Sequence, residues 1–408
     1  MTSPMRVKNL SLHTTQGEVG SLFRQSQFVV RYNDPALKAP EMAISLTMPP
    51  RPQGWSSDRI PPVLAMNLPE GFLRDRVIDR YRKVMDIEDM NLLAVTSTRS
   101  SGRVWAAMPD RQDVETGKPI ALRDILAHRG TEELFDELLD KYSTVSISGV
   151  QPKVVVPEYA ESAGTAFEKT SVKSPDLIVK AAGTEYPGLA ENEFICMSVA
   201  RHIGLELPRF WLSDDRKLFV IRRFDMGVNG YLGFEDMAAL TGRHPEDKYR
   251  GSYADVAKAV EVNVASSNRV PSLEALFRLV VLNCAIRNGD AHLKNFGVLY
   301  GDPKSADTDA RLAPVYDLVN TTMYLPRDVL ALSLGGSKAW PTGKTLERFG
   351  RDACGVRKPG EVIEDVSTRV MEYRAADTTS KVWKQVRKQI EIGVTSIQAG
   401  TAKHRPLQ

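Results

Sequence analysis

Eight residues, Asn288-Gly289-Asp290-Ala291-His292-Leu293-Lys294-Asn295, form the densest polar cluster of the chain, and apolar segments bound them on both sides. Ahead of them, Leu273, Leu276, Phe277, Val280 and Cys284 recur at i, i+3, i+4, i+7 and i+11. That stripe predicts a packed helix, opened by Pro271-Ser272 and stopped by Asn288-Gly289. Behind them, residues 296–300 and 312–316 read as the arms of a hairpin joined by a polar loop. A loop between a buried helix and a strand is held rigidly, and such loops often carry function. Asp290 and Asn295 lie five residues apart, and Asp317 follows Asn295 by twenty-two, at the end of the hairpin.

This spacing is the arrangement of a protein-kinase catalytic loop, in which the first Asp orients the acceptor hydroxyl while the Asn and second Asp hold Mg²⁺. Phosphoryl transfer needs hard oxygen ligands for that cation and a carboxylate aimed at the nucleophile. The preceding half of the chain supplies the remaining parts. Residues 146–151 are small and polar, placed where a phosphate-covering loop would lie, although with Gly149 alone they form no glycine-rich cradle. They lead into a strand over 153–156. Lys180 closes a second apolar strand begun at Leu177. A helix is read over 191–203, with Ile195, Val199, His202 and Ile203 near one face, Glu193 one turn in and Gly204 as its cap. A third strand over 218–224 ends in Arg222-Arg223-Phe224-Asp225 and suits a hinge. Taken singly, each piece also reads as ordinary structure: a solvated strand-end lysine, a surface glutamate, turn and capping residues. The order loop, Lys, Glu, hinge, Asp, Asn, Asp favours the kinase reading.

Residues 1–125 read as a small α+β unit, with strands near 19–23 and 27–32 and helical spacing at Phe72, Leu73, Val77, Ile78 and Tyr81 and again from Ile87 to Val95. Between them Pro49, Pro50, Pro52, Pro61 and Pro62 are expected to exclude regular structure. Residues 126–225 would then be a kinase N-lobe and 226–408 a helical C-lobe. With 42% apolar and 26% charged residues, the chain is neither collagen-like nor wholly disordered. Its 54 basic and 51 acidic residues leave +3, too even for a nucleic-acid binder acting alone. Cys196, Cys284 and Cys354 are odd in number and far apart, which excludes a disulfide framework and a CxxC metal site. No run approaches the length of a membrane span, and the first residues lack a signal-peptide core, so a cytoplasmic protein is expected. Val382, Val386 and Ile390 predict a packed last helix, whose Lys381, Lys384, Arg387 and Lys388 read as a solvated face.

The sequence resembles the HipA-type serine/threonine kinase toxins of bacterial toxin–antitoxin systems. The residues that carry the resemblance are Ser146 through Lys153, Asn192-Glu193-Phe194, Arg223-Phe224-Asp225, Glu235-Asp236-Met237, Gly289 through Phe296, and Pro314-Val315-Tyr316-Asp317-Leu318. Asn67-Leu68-Pro69-Glu70 and Arg74-Asp75-Arg76 match the amino-terminal subdomain of that family. The resemblance implies an α+β, two-lobed protein-kinase-like fold with an extra N-terminal α+β subdomain, and ATP and Mg²⁺ as cofactors. Asp290 would be the catalytic base, with Lys180 beside it in the catalytic set, and Asn295 and Asp317 would bind metal. Lys180, Ser148, Gly149, Val150, Gln151 and Lys153 would contact phosphates, with Glu193 positioning Lys180. Arg222, Arg223 and Phe224 would hold the adenine through backbone groups, and Asp225, His292, Lys294 and Tyr316 complete the nucleotide site. Family members phosphorylate a serine of an aminoacyl-tRNA synthetase, which stalls translation and produces growth arrest or persistence. They are restrained by a helix-turn-helix antitoxin that brings the complex to DNA. They also phosphorylate a serine of their own phosphate loop, here Ser146, Ser148 or both. A phosphate there adds about −1.5 to −2 charges, enough to expel the loop from a site holding ATP. Two other readings remain: a small-molecule kinase, and an inactive kinase-like scaffold.

Overall fold

The computed structural model describes residues 6–83, 85–97, 100–109, 120–127, 134–135, 137–138, 153–157, 176–181, 185–227, 230–301, 303 and 309–400. The expected phosphate loop, with Ser146, Ser148, Gly149, Val150 and Gln151, lies outside the described residues. The chain divides into two compact units, one built from residues 1–190, 209–234 and 301–304, the other from 191–208, 235–300 and 305–408.

The first unit holds two sheets. Five strands, β1 (Asn9–Thr14), β2 (Gly17–Arg24), β3 (Phe28–Tyr32), β4 (Trp55–Ser57) and β5 (Trp105–Ala107), pair antiparallel in the order β4-β3-β2-β1-β5. Leu10, Leu12, Val19, Leu22 and Val30 pack from this sheet against Leu64, Leu73, Val77, Leu92 and Leu93 of the following helices. The strand β4 corrects the expectation for the proline-rich stretch. The prolines flank residues 55–57 without entering them, so Trp55, Ser56 and Ser57 keep their N–H groups and pair with Val30, Val29 and Phe28 at the sheet edge. Arg103 is fully buried beneath this layer, donating to the carbonyls of Glu41 and Ala43 at 2.7 and 2.5 Å and to Gln16 Oε1 at 2.9 Å.

The second sheet consists of β6 (Lys153–Pro157), β7 (Asp176–Ala181), β8 (Phe210–Leu212) and β9 (Leu218–Arg222), antiparallel in the order β6-β7-β9-β8. Alternation sends Val154, Val156, Leu177, Val179, Leu218 and Val220 into one cluster with Ile125, Phe135 and Leu138. The same register sets Lys153 opposite Lys180, and Lys180 opposite Phe219.

The second unit is mainly helical. Helices Tyr253–Asn263, Ser266–Ala285, Gly343–Asp352, Pro359–Glu372 and Lys381–Gln398 surround a small sheet formed by Glu235-Asp236, Gly297–Tyr300 and Arg311–Leu312. The helix expected from Pro271 starts five residues earlier and carries Pro271 inside it. Residues 266–270 of that first turn are exposed or half-buried, so no apolar stripe marks them in the sequence. Gly393 lets the last helix press against this one, since a Cβ there would strike the carbonyls of Cys284 and Ala285. The second hairpin arm is also shorter than expected, Arg311–Leu312 only. Pro314 has no N–H for the ladder, and Val315 N–H donates instead to Glu206 O at 2.8 Å. Helix Leu189–His202 ends as expected, with Gly204 at φ 83°. All three cysteines are buried, and none is in a disulfide. Among the described residues no helix is long and apolar enough to cross a membrane.

Candidate active site

Within the second unit the structure brings Asp290, His292, Lys294, Asn295, Tyr316 and Asp317 together. The loop pairs in no long ladder: His292, Leu293 and Asn295 N–H donate to the carbonyls of Asp290, Lys248 and His292, while side chains take Gly289 and Asp290 N–H. Asn288, fully buried, bridges helix to loop: its amide nitrogen donates to Asn283 Oδ1 at 2.8 Å, and its oxygen accepts from Asp290 N–H at 3.1 Å. Asn295 donates from Nδ2 to Asp290 O at 2.9 Å, so Oδ1 is the atom with which it could hold a metal. Lys294 and Asp236 form an ion pair at 3.4 Å with side chains 8% and 4% exposed. Tyr316 donates its hydroxyl to Lys294 O at 2.8 Å, tying the Asp317 segment to the loop. Asp317 has φ 60°, a left-handed conformation that costs a non-glycine residue about 1–2 kcal/mol. Surroundings this well bonded hold it there.

Burial pushes the Asp290 carboxyl up to about 6, and the nearby negative charges of Asp317 and Asp328 add to the rise. A hydrogen bond from Tyr249 and the Lys248 ammonium pull the other way. A carboxyl whose proton affinity is raised by the Asp317 charge, on a loop that also carries the Asn295 carboxamide, suits a hard divalent cation. Among the described residues no group of three or more His, Cys, Asp or Glu side chains could hold a metal alone.

Glu193 belongs to this unit and is fully buried on helix Leu189–His202. Its neighbour Asn192 donates to Asn320 O at 2.8 Å and accepts from Asn320 N–H at 2.9 Å. Asn320 in turn donates to Ile286 O at 2.6 Å, so three separate stretches of chain meet at this pair.

In the first unit, Lys153 and Lys180 are 6% and 5% exposed on neighbouring strands, with Lys180 Nζ 5.7 Å from the Phe219 ring centre. The strand register thus places two nearly buried cationic side chains at paired positions. At the end of β9, Arg223 forks onto Asp225 at 2.9 and 2.6 Å and donates to Ser100 O at 2.8 Å. Asp225 also accepts from Gly102 N–H at 2.6 Å. These two side chains are therefore committed to the turn at residues 100–102. Arg222 lies over the Trp211 ring at 5.6 Å, and Phe224 packs edge-on against Phe234 at 5.3 Å.

Sequence reasoning gave no role to Asn192, Tyr249, Asn320, Thr321 or Asp328. Thr321 Oγ1 accepts from Gly289 N–H at 2.9 Å and itself donates to the Asp328 carboxylate. Gly289 has to be glycine, since a Cβ would fall on that carboxylate. Asn288-Gly289 reads as a helix stop in sequence. The partner that anchors Gly289, Thr321, lies thirty-two residues away, where spacing carries no signal.

Two family models match the chain: the HipA N-terminal domain over residues 10–107 and the HipA-like C-terminal domain over residues 145–381. A Sinorhizobium fredii protein named "Putative kinase Y4dM" is 27% identical over 347 residues, covering 81% of this chain and 78% of the relative. A Haemophilus influenzae protein named "Putative kinase" is 28% identical over 204 residues, 45% of this chain and 55% of that protein. Among solved structures, HipA from the Shewanella oneidensis MR-1 complex with HipB and operator DNA matches with a TM-score of 0.74 at 19% identity. That match covers 98% of this chain and 100% of the other, and at such identity it establishes the fold.

Proposed function

The chain belongs to the HipA family, and from that premise we propose that it is an ATP-dependent serine/threonine protein kinase acting as a toxin. The observation that carries the reading is the joined set of Asp290, Asn295, Tyr316 and Asp317, tied through Asn295 to Asp290 O and through Tyr316 to Lys294 O. Asp290 orients the acceptor hydroxyl and takes its proton as the bond to phosphorus forms. Asn295 Oδ1 and the Asp317 carboxylate would hold Mg²⁺, which when bound neutralises phosphate charge. In the first unit, Lys153 and Lys180 neutralise phosphate oxygens, and the backbone from Arg222 to Asp225 holds the base. The Lys294–Asp236 pair and His292 keep the loop in shape.

The finer roles rest on the family resemblance. The acceptor would be a serine of a cellular protein, by resemblance an aminoacyl-tRNA synthetase, and its modification would inhibit translation and arrest growth in the cytoplasm. Phosphorylation of Ser146 or Ser148 would switch the enzyme off. A HipB-like helix-turn-helix antitoxin would restrain it, in keeping with the Shewanella HipA complex. DNA contact would come through that partner, which suits a net charge of only +3.

The test compares the full chain with Asp290→Ala, each incubated with ATP, MgCl₂ and bacterial lysate and followed by phosphopeptide mass spectrometry. New phosphoserine appearing with the wild type alone is the expected result. Phosphate passing to a small molecule instead would establish the small-molecule kinase. No transfer to anything would leave the scaffold.

A further inference from the structure

Tyr249 touches the reacting end of the catalytic loop, and the roles assigned above leave it unused. It follows the short turn Pro245–Asp247 and donates its hydroxyl to Asp290 Oδ1 at 2.6 Å. The backbone around it is held on two sides: Leu293 N–H donates to Lys248 O at 3.1 Å, and Lys338 Nζ donates to Tyr249 O at 3.0 Å. The residue is 42% exposed, and its ring meets the buried His292 ring edge-on with centroids 5.0 Å apart. A tyrosine this exposed gains little from burial, so packing does not account for its place. A short O–H···O bond to a carboxylate does. An acceptor hydroxyl has to make that same bond, because it must donate to the group that takes its proton.

We infer that Tyr249 holds the place of the acceptor hydroxyl, a positioning residue that keeps water from Asp290 until a protein side chain displaces the phenol. The inference rests on the kinase reading of this loop and adds the way it chooses its acceptor. Transfer breaks the acceptor O–H bond and passes the proton to Asp290; the acceptor oxygen bonds the γ-phosphorus as its bond to the β,γ-bridging oxygen breaks, and that electron pair leaves with ADP. With water as acceptor the same balance yields ADP and inorganic phosphate. A water molecule has no other contact from which to draw the free energy that displaces the phenol. A protein segment has, since binding remote from the reacting hydroxyl can be spent at it. The exposed ring can turn about its own side-chain bonds while both backbone anchors stay in place.

The experiment measures two quantities with the full chain, MgCl₂ and γ-labelled ATP. One is inorganic phosphate released without protein acceptor; the other is label incorporated into protein of a soluble bacterial lysate. Tyr249→Phe keeps the ring and removes the hydroxyl, and losing one charge-assisted bond of this kind corresponds to roughly tenfold or more. Phosphate release without acceptor should rise about tenfold, the ratio of release to incorporation should rise with it, and KM for lysate protein should fall more than kcat changes. Tyr249→Leu, which also removes the ring, should raise the ratio further, and melting curves confirm that both variants fold. A ratio equal to or below wild type in both variants overturns the inference while leaving the kinase intact. A wild type that neither labels protein nor turns over ATP overturns the kinase reading and this one with it.

Discussion

Lys153 and Lys180 stand on two paired strands, whereas Asp290, Asn295 and Asp317 stand on backbone with almost no ladder. The lysines owe their placement to a register of five residue pairs between β6 and β7, shared with a valine-rich apolar face. The candidate loop is held by separate polar bonds, from Asn288, Thr321, Tyr316, Asn295 and Lys294, each to a different atom. A sheet spreads the cost of an error over its ladder and core. A loop held this way concentrates it in whichever bond is removed.

Substitutions can break that contrast or sharpen it. The largest effect is expected at Asp290→Asn, which keeps shape and removes the base: phosphoryl transfer should fall roughly 10²- to 10⁴-fold, with the melting temperature little changed. Equal loss of activity and of fold would mean that the loop is structural. Next comes Asp236→Ala, which leaves the buried Lys294 charge without Asp236 and should lower stability by about 3–5 kcal/mol in denaturant titration. On the sheet side, Val156→Ala removes two methyl groups facing Leu177 and should cost only about 1–2.5 kcal/mol, with transfer per folded molecule retained. If it abolished transfer, the lysine pair would depend on that core as narrowly as the loop depends on its bonds. Lys180→Met should leave the fold in place and shrink the rise in melting temperature that saturating ATP produces. The smallest effect is expected at Glu391→Ala, an exposed partner of Arg387 at i,i+4, which should cost below about 0.5 kcal/mol.

Much of this was legible in the chain. Apolar alternation and helical stripes placed β6, β7, β9, helix Leu189–His202 and the body of Ser266–Ala285, because burial of one face leaves its period in the sequence. The candidate residues Asp290, Asn295 and Asp317 were found by spacing, since short-range order along a loop is also order in space. The misses have physical reasons. β4 hides among prolines because an edge strand needs only three free N–H groups. The first turn of Ser266–Ala285 faces solvent and carries no stripe. Tyr249 and Asp328 gave no signal because a hydroxyl or carboxylate that reaches another segment looks, in sequence, like any polar residue.

The sequence by itself determined the family, the α+β class and the identity of the groups that could do chemistry, since these follow from local period and residue type. Tertiary structure alone decided which of them meet. Lys153 stands opposite Lys180 because of strand register, Asp317 is bent into a left-handed turn by its surroundings, and the Tyr249 phenol lies on Asp290. Those relations join residues 27 and 41 positions apart. Distances of that kind are set by packing, where no repeat along the chain can record them.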